Sequence, residues 1–218
     1  MTDSSTTAAD RQTLDAQAEI TLGLLTAVQA NSAVTQRSIA AELGIALGLA
    51  NAYLKRCVRK GYVKVSQIPS NRYAYYLTPQ GFAEKTRLTA DYLSSSFQFF
   101  RRARGQCEAA LVACDERGWR RVALAGAGDL AEIAALCGLE STVDILAVVD
   151  VNESRTVLAG LPVVARVEDL PPVDAVLVTD LRHAQATYEM LRTHFSEDRV
   201  FTPTLLGVAR SGLRMSRR

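Results

Sequence analysis

The sequence predicts an α/β protein of two domains: helices and a hairpin, a long connecting helix, then a parallel sheet flanked by helices. Three observations carry that prediction. Residues 35–104 hold 12 Lys and Arg against 3 Asp and Glu, and this excess coincides with a helix, a tight turn, a second helix and two short strands. A helical pattern then runs from Pro79 to about Arg117. From Val122 onward, apolar strands alternate with helices, and the first strand ends in a glycine turn.

The length of 218 residues suits two domains, since single domains commonly hold about 100–150 residues. With 48% hydrophobic and 22% charged residues the composition is that of a soluble globular chain, and no stretch approaches the roughly 18 apolar residues that cross a bilayer. A cytoplasmic protein without membrane contact is expected. Residues 1–13 open with Ser, Thr and Ala and read as a disordered leader. Cys57, Cys107, Cys114 and Cys137 form no C-x-x-C pair and read as buried reduced thiols. With His183 and His194 the only histidines, no metal site is expected. His183 reads as an exposed residue at a helix start.

The first domain, residues 14–78, begins with a helix whose apolar residues Ile20, Leu24, Leu25 and Val28 share a face. Thr35 is a good N-cap for the segment QRSIAAEL, with Ile39, Ala40 and Leu43 inward and Gly44 as terminator. Leu47, Ala50, Leu54 and Val58 then give the inward face of the next helix, closed by Gly61. Two short helices joined so tightly make a helix-turn-helix. Its second helix turns Gly48, Asn51, Ala52, Lys55, Arg56 and Arg59 outward. Small residues permit close approach to a groove floor, Asn51 can read a base edge or be an ordinary exposed polar residue, and the cations can hold phosphates. Tyr62–Ile68 and Tyr73–Leu77 alternate as strands around Pro69-Ser70-Asn71, which makes a wing with Arg72 at its tip. The residues expected to contact double-stranded DNA are therefore Gln36, Arg37, Ser38, Gly48, Asn51, Lys55, Arg56, Arg59, Asn71 and Arg72.

These residues resemble a known family. ELGIALGLANAYLKRCVRKGYVKV and NRYAYYLTPQGFAEKTRLT, within about residues 35–89, look like the winged helix of MarR-like regulators associated with exopolysaccharide gene clusters, Tyr75–Gly81 matching a phrase that follows the wing. The resemblance implies a bacterial transcription factor acting on polysaccharide genes. Where that family commonly has Lys or Arg after the first glycine of the recognition helix, this chain has Leu49.

Residues 79–117 form the connecting helix, started by Thr78-Pro79. Its stripe of Leu88, Tyr92, Phe99, Ala103, Cys107, Leu111 and Cys114 needs an apolar partner, and a homodimer through this helix is expected, with Gly105 as a point where it could break.

Residues 118–205 read as a ligand-binding domain. Val122–Ala125 is a buried strand, and Gly126-Ala127-Gly128-Asp129-Leu130-Ala131 satisfies G-x-G-x-x-A, in which glycines let backbone amides and a helix N-terminus approach a phosphate. A second strand, Ile145–Val149, ends in Asp150, placed to accept hydrogen bonds from ribose hydroxyls and to repel a 2′-phosphate. Asp174–Thr179, a helix over His183–Phe195 and a strand at Val200–Thr202 complete a Rossmann-like parallel α/β domain, followed by a basic tail, residues 206–218. GAGDLAEI, ILAVVDVN and LAGLPVVARVEDLPPVDAVLVTD resemble the nucleotide-binding domain of Rex-type redox-sensing repressors, and also the N-terminal domain of sugar O-acyltransferases and nucleotide-sugar dehydratases. The resemblance implies nucleotide contacts at Gly126, Gly128 and Asp150, with Leu130 behind the turn and Thr179 at the third strand's end; Asp129 stands beside the expected phosphate site, and NAD(H) or a nucleotide-sugar is the expected ligand.

Taken as a sequence, the chain reads as a dimeric DNA-binding regulator with a nucleotide-sensing domain, and not as an enzyme. Two alternatives stay open. A nucleotide-dependent enzyme would need a proton-transfer group beside the turn, but Tyr188 is followed four residues later by Arg192 rather than by the Lys of short-chain reductases. The other is a constitutive DNA-binding protein whose second domain only dimerises.

Overall fold

The structure, a computed structural model, describes residues 4–68 and 72–210 and divides into two compact units, residues 1–96 and 97–218.

In the first unit, α1 (Ser4–Ala30) precedes α2 (Gln36–Glu42), α3 (Leu47–Arg59), and the antiparallel strands β1 (Val63–Ile68) and β2 (Arg72–Leu77). Leu24, Leu25 and Val28 of α1, Ile39 and Ala40 of α2, and Ala50, Leu54 and Cys57 of α3 close one core with Val63 and Tyr75. The helix α1 starts at Ser4, so residues 4–13 are helical where a disordered leader was expected. Ala8, Ala9, Arg11 and Gln12 are strong helix formers and neither Gly nor Pro interrupts them. The inward face of α3 also differs from expectation. Cys57 is buried with Ala50 and Leu54, whereas Leu47 (46% exposed) and Val58 (37%) lie at its margins.

The helix α4 (Pro79–Asp115) is continuous. Thr78 accepts the Gly81 N–H at 3.0 Å through its hydroxyl, which completes the expected Thr-Pro start. Gly105 does not break it: a side chain there would meet nothing within 4 Å. The stripe that seemed to need a second copy is largely covered within the chain. Leu88 joins the core of the first unit, and Ala103, Cys107, Leu111 and Cys114 join that of the second, packed with Val122, Leu130 and Val143. Tyr92 (51% exposed) and Phe99 (41%) remain outside.

In the second unit the sheet order is β5-β6-β4-β3-β7-β8, for β3 (Arg121–Ala125), β4 (Asp144–Val149), β5 (Val157–Leu158), β6 (Leu161–Val164), β7 (Ala175–Val178) and β8 (Val200–Phe201). All pairs are parallel except β5 with β6. Counted in chain order, the parallel strands run third, second, first, fourth, fifth, so the order reverses between β3 and β7, where doubly wound sheets open a crevice at the strands' carboxyl ends. The helices α5 (Asp129–Leu139) and α6 (Ala184–Leu191) pack on the sheet through Leu130, Ala134, Tyr188 and Leu191. The β5–β6 hairpin was not foreseen. It turns on Ala159 (φ +48°) and Gly160 (φ +81°), the two positive φ values of a tight hairpin turn.

Candidate nucleic-acid interface and glycine turn

The local sequence builds the interface of the first unit. Thr35 Oγ1 accepts the Ser38 N–H at 3.0 Å while Ser38 Oγ accepts the Thr35 N–H at 2.9 Å, a reciprocal cap that fixes the start of α2. The Ser38 hydroxyl is thereby committed to the cap, while Arg37 beside it is exposed. Gly44 at φ +62° lets the chain turn into α3.

On α3, Gly48, Ala52, Lys55, Arg56 and Arg59 are exposed. Lys55 and Arg59 have no hydrogen-bond or ion-pair partner among the described residues, whereas Arg56 donates to Gln17 Oε1 of α1 at 3.2 Å. Free guanidinium and ammonium groups on the exposed face of such a helix can replace the counterions of a phosphate backbone. Gln36 and Asn51 lie beside Lys55 and Arg59: with Leu54, Val58, Val65, Tyr73 and Tyr75 the four line a cavity of about 370 Å³ between α3 and the hairpin. Asn71 lies outside the described residues. Arg72 opens β2 opposite Ile68, and its side chain is likewise outside them. Behind the interface, burial pushes the Cys57 thiol up to about 11.

In the second unit the glycine turn closes on itself. Thr179, fully buried, donates its hydroxyl to the Gly126 carbonyl at 2.7 Å and so ties the end of β7 to the end of β3. Gly126 has φ +108°, and a Cβ there would lie 2.5 Å from the Asp180 Cα. Its glycine is required by the backbone of the neighbouring strand end, a demand hidden from a motif search. Asp150 Oδ2 accepts the Ala127 N–H at 2.8 Å and Oδ1 accepts the Asn152 N–H at 2.9 Å. Leu130 is fully buried in the core, so only its backbone can face a ligand. The N–H groups of Gly128, Asp129 and Leu130 open α5, where a helix leaves its first donors without intrahelical partners.

Sequence reasoning missed Arg155, which donates to the Ala127 carbonyl at 2.7 Å and pairs with Glu153 at 2.7 Å. Its hydrogen bonds hold the Glu153 carboxyl down at about 2. A cation five residues beyond a strand-ending acid was the available signal. Asp129, Glu132, Asp150 and Glu153 stand around the same turn, so the site is rich in acid. His183 is exposed, as expected, and its side chain lies 4.0 Å from Asp180. All four cysteines are buried free thiols, Cys107 and Cys114 pushed by burial up to about 12 and 11. Among the described residues no His, Cys, Asp and Glu cluster could hold a metal, and no helix is long and apolar enough to cross a membrane.

Residues 17–64 match the family of winged helix-turn-helix DNA-binding domains. The first unit therefore carries such a domain. No curated protein matches the chain. Among solved structures, MepR, a transcription regulator of the Staphylococcus aureus multidrug efflux pump MepA, is 16% identical at a TM-score of 0.34, over 45% of this chain and 82% of that one. Human N-acetylserotonin methyltransferase in complex with SAM is 14% identical at a TM-score of 0.31, over 82% of this chain and 71% of its own. PigF with SAH is 12% identical at 0.24, over 92% and 61%. Overlaps this loose carry no argument about function.

Proposed function

We propose that the chain is a bacterial transcriptional regulator that binds double-stranded DNA as a homodimer in the cytoplasm, and that its second unit senses a nucleotide-type ligand rather than catalysing a reaction. One observation carries the DNA reading: Lys55 and Arg59, without a hydrogen-bond or ion-pair partner among the described residues, stand on the exposed face of the second helix of a winged helix-turn-helix. A fluorescence-anisotropy titration of the whole chain with a random duplex tests it. Affinity should fall steeply with salt and fall further in the Lys55→Ala, Arg59→Ala double variant. Equal affinity of wild type and variant at every salt concentration rejects this face as the interface.

The ligand reading is supported by the reversal of strand order beside the glycine turn and by Asp150 at the carboxyl end of β4. Each Asp150 oxygen holds one backbone N–H and keeps a lone pair for a ribose hydroxyl. NAD, NADH and nucleotide-sugars are the ligands to try by thermal shift. Absence of a shift with all of them favours the constitutive DNA-binding alternative, and turnover of a nicotinamide cofactor the enzyme. The homodimer is supported by the exposed aromatics of α4, and control of polysaccharide genes by the resemblance of residues 35–89. Light scattering tests the former and genomic footprinting the latter.

A further inference from the structure

The glycine turn contains a peptide that its own chain leaves free to face either way, and one side chain decides the direction. Ala127 is gripped at both of its peptide groups. Its N–H is donated to Asp150 Oδ2 at 2.8 Å, and its carbonyl accepts from Arg155 Nη2 at 2.7 Å. A trans peptide is planar, and its carbonyl and the following N–H point in opposite directions. Arg155 therefore turns the Gly128 N–H to the side away from itself. Gly128 is exposed there, and its N–H meets no acceptor among the described residues. Gly128 sits at φ −111°, and a half-turn of the peptide before it would carry that angle to roughly +70°, which glycine adopts without strain. A side chain at 128 would meet nothing within 4 Å, so packing does not fix the residue either.

Arg155 is itself held. Nη2 carries two hydrogens and gives the second to Glu153 Oε2 at 2.7 Å, while Glu153 Oε1 accepts the Ser154 and Arg155 N–H groups at 2.9 Å. At 49% exposed, the Arg155 side chain gains little from this ion pair alone. What the pair does is fix the guanidinium beside the Ala127 carbonyl.

We propose that Arg155 is a positioning residue of the glycine turn: by holding the Ala127 carbonyl it presents the Gly128 N–H to a ligand at the start of α5, and so selects a hydrogen-bond-accepting group, such as a phosphate oxygen, over a donor. Turned the other way, the same peptide would offer its carbonyl and select a donor. Glu153 anchors the guanidinium, and Gly128 is the pivot. The orientation stands on the geometry of the turn; its effect on binding rests on the nucleotide reading above.

The test measures the ¹H–¹⁵N residual dipolar coupling of residue 128 in the whole chain, which reports the direction of that bond. Arg155→Ala should change it and leave the couplings of Leu124 and Ala134 as they are. Arg155→Lys, which can still donate to the carbonyl, should keep the wild-type value. Adding Gly128→Ala to Arg155→Ala should restore it, because alanine disfavours the left-handed angle that the turned peptide needs. A merely structural hydrogen bond would lower stability without turning the peptide, so an unchanged coupling in Arg155→Ala overturns the proposal, as does a changed one that the added alanine fails to restore. NAD and UDP-glucose then serve as binding probes. Whichever binds wild type should bind Arg155→Ala about tenfold more weakly or worse, the loss of one hydrogen bond to a charged group, and equal affinity overturns the selection of ligand. If neither binds wild type, the nucleotide reading falls and the selection with it, while a coupling that turns in Arg155→Ala still upholds the positioning.

Discussion

At the scale of single residues, the two glycines of the turn separate a structural demand from a functional one. Gly126 has no room for a side chain beside Asp180 and sits at φ +108°. Gly126→Ala should cost on the order of 3 kcal/mol or more, read as lost cooperativity of the second unit in urea. Gly128 has φ −111° and open space around it, so Gly128→Ala should stay within about 0.5 kcal/mol of wild type. If it also keeps that stability while losing a nucleotide-induced thermal shift, the glycine serves ligand approach. Asp180 adds a pH dependence. Burial works to raise its carboxyl, but the N–H groups of His183 and Arg182 and the Thr187 hydroxyl outweigh burial and hold it below its ordinary value. A depressed folded pKa contributes stability that is present above the unfolded value of about 4 and is lost as pH falls through the lower folded one. Thermal melts in acid should therefore show a steeper decline for wild type than for Asp180→Asn, and parallel curves would contradict this assignment.

At the scale of elements, α4 shows what a one-dimensional pattern conveys and what it omits. The Thr-Pro start, the length of the helix and the apolar stripe were all legible, because capping and periodicity are local. The occupant of the stripe was not. Apolar residues at helical spacing look the same whether a second copy or the chain's own sheet covers them, and here Ala103, Cys107, Leu111 and Cys114 lie against β3 and α5 residues. The Arg104 ion pair with Glu140 at 2.6 Å joins α4 to the end of α5 across 36 positions, a distance no pattern registers. The β5–β6 hairpin was missed because its strands hold two and four residues, too few to alternate visibly, and because the turn residue Ala159 adopts a φ that its type rarely takes. Gly105 yields a prediction of its own. It is an exposed interior position of α4 with nothing within 4 Å of a Cβ, so Gly105→Ala should stabilise the second unit by about 0.5–1 kcal/mol, checked by urea denaturation. Destabilisation would mean that the helix bends there.

At the scale of the whole molecule, the sequence shows a basic island, 12 cations against 3 acids over residues 35–104, while the remaining residues hold 13 basic and 20 acidic side chains. The structure shows that these cations are not equivalent. Arg87 is held by Glu84 at 2.9 Å and Asp91 at 2.7 Å, and Arg104 by Glu108 at 2.7 Å and Glu140 at 2.6 Å. A cation already neutralised by carboxylates cannot release counterions from DNA without first giving up those partners. Lys55 and Arg59 have no such partners among the described residues. Salt dependence distinguishes the two kinds, since the slope of log affinity against log salt counts the phosphates neutralised and each lost contact lowers it by about one. Measured on a random duplex between about 50 and 200 mM salt, the Lys55→Ala, Arg59→Ala variant should lose about two units of slope, whereas the Arg87→Ala, Arg104→Ala variant should keep the wild-type slope. If the second variant loses as much as the first, the whole island binds DNA and its ion pairs open on contact. If neither variant loses any, the basic excess is a solvated face, and the DNA interface lies on cations outside both pairs.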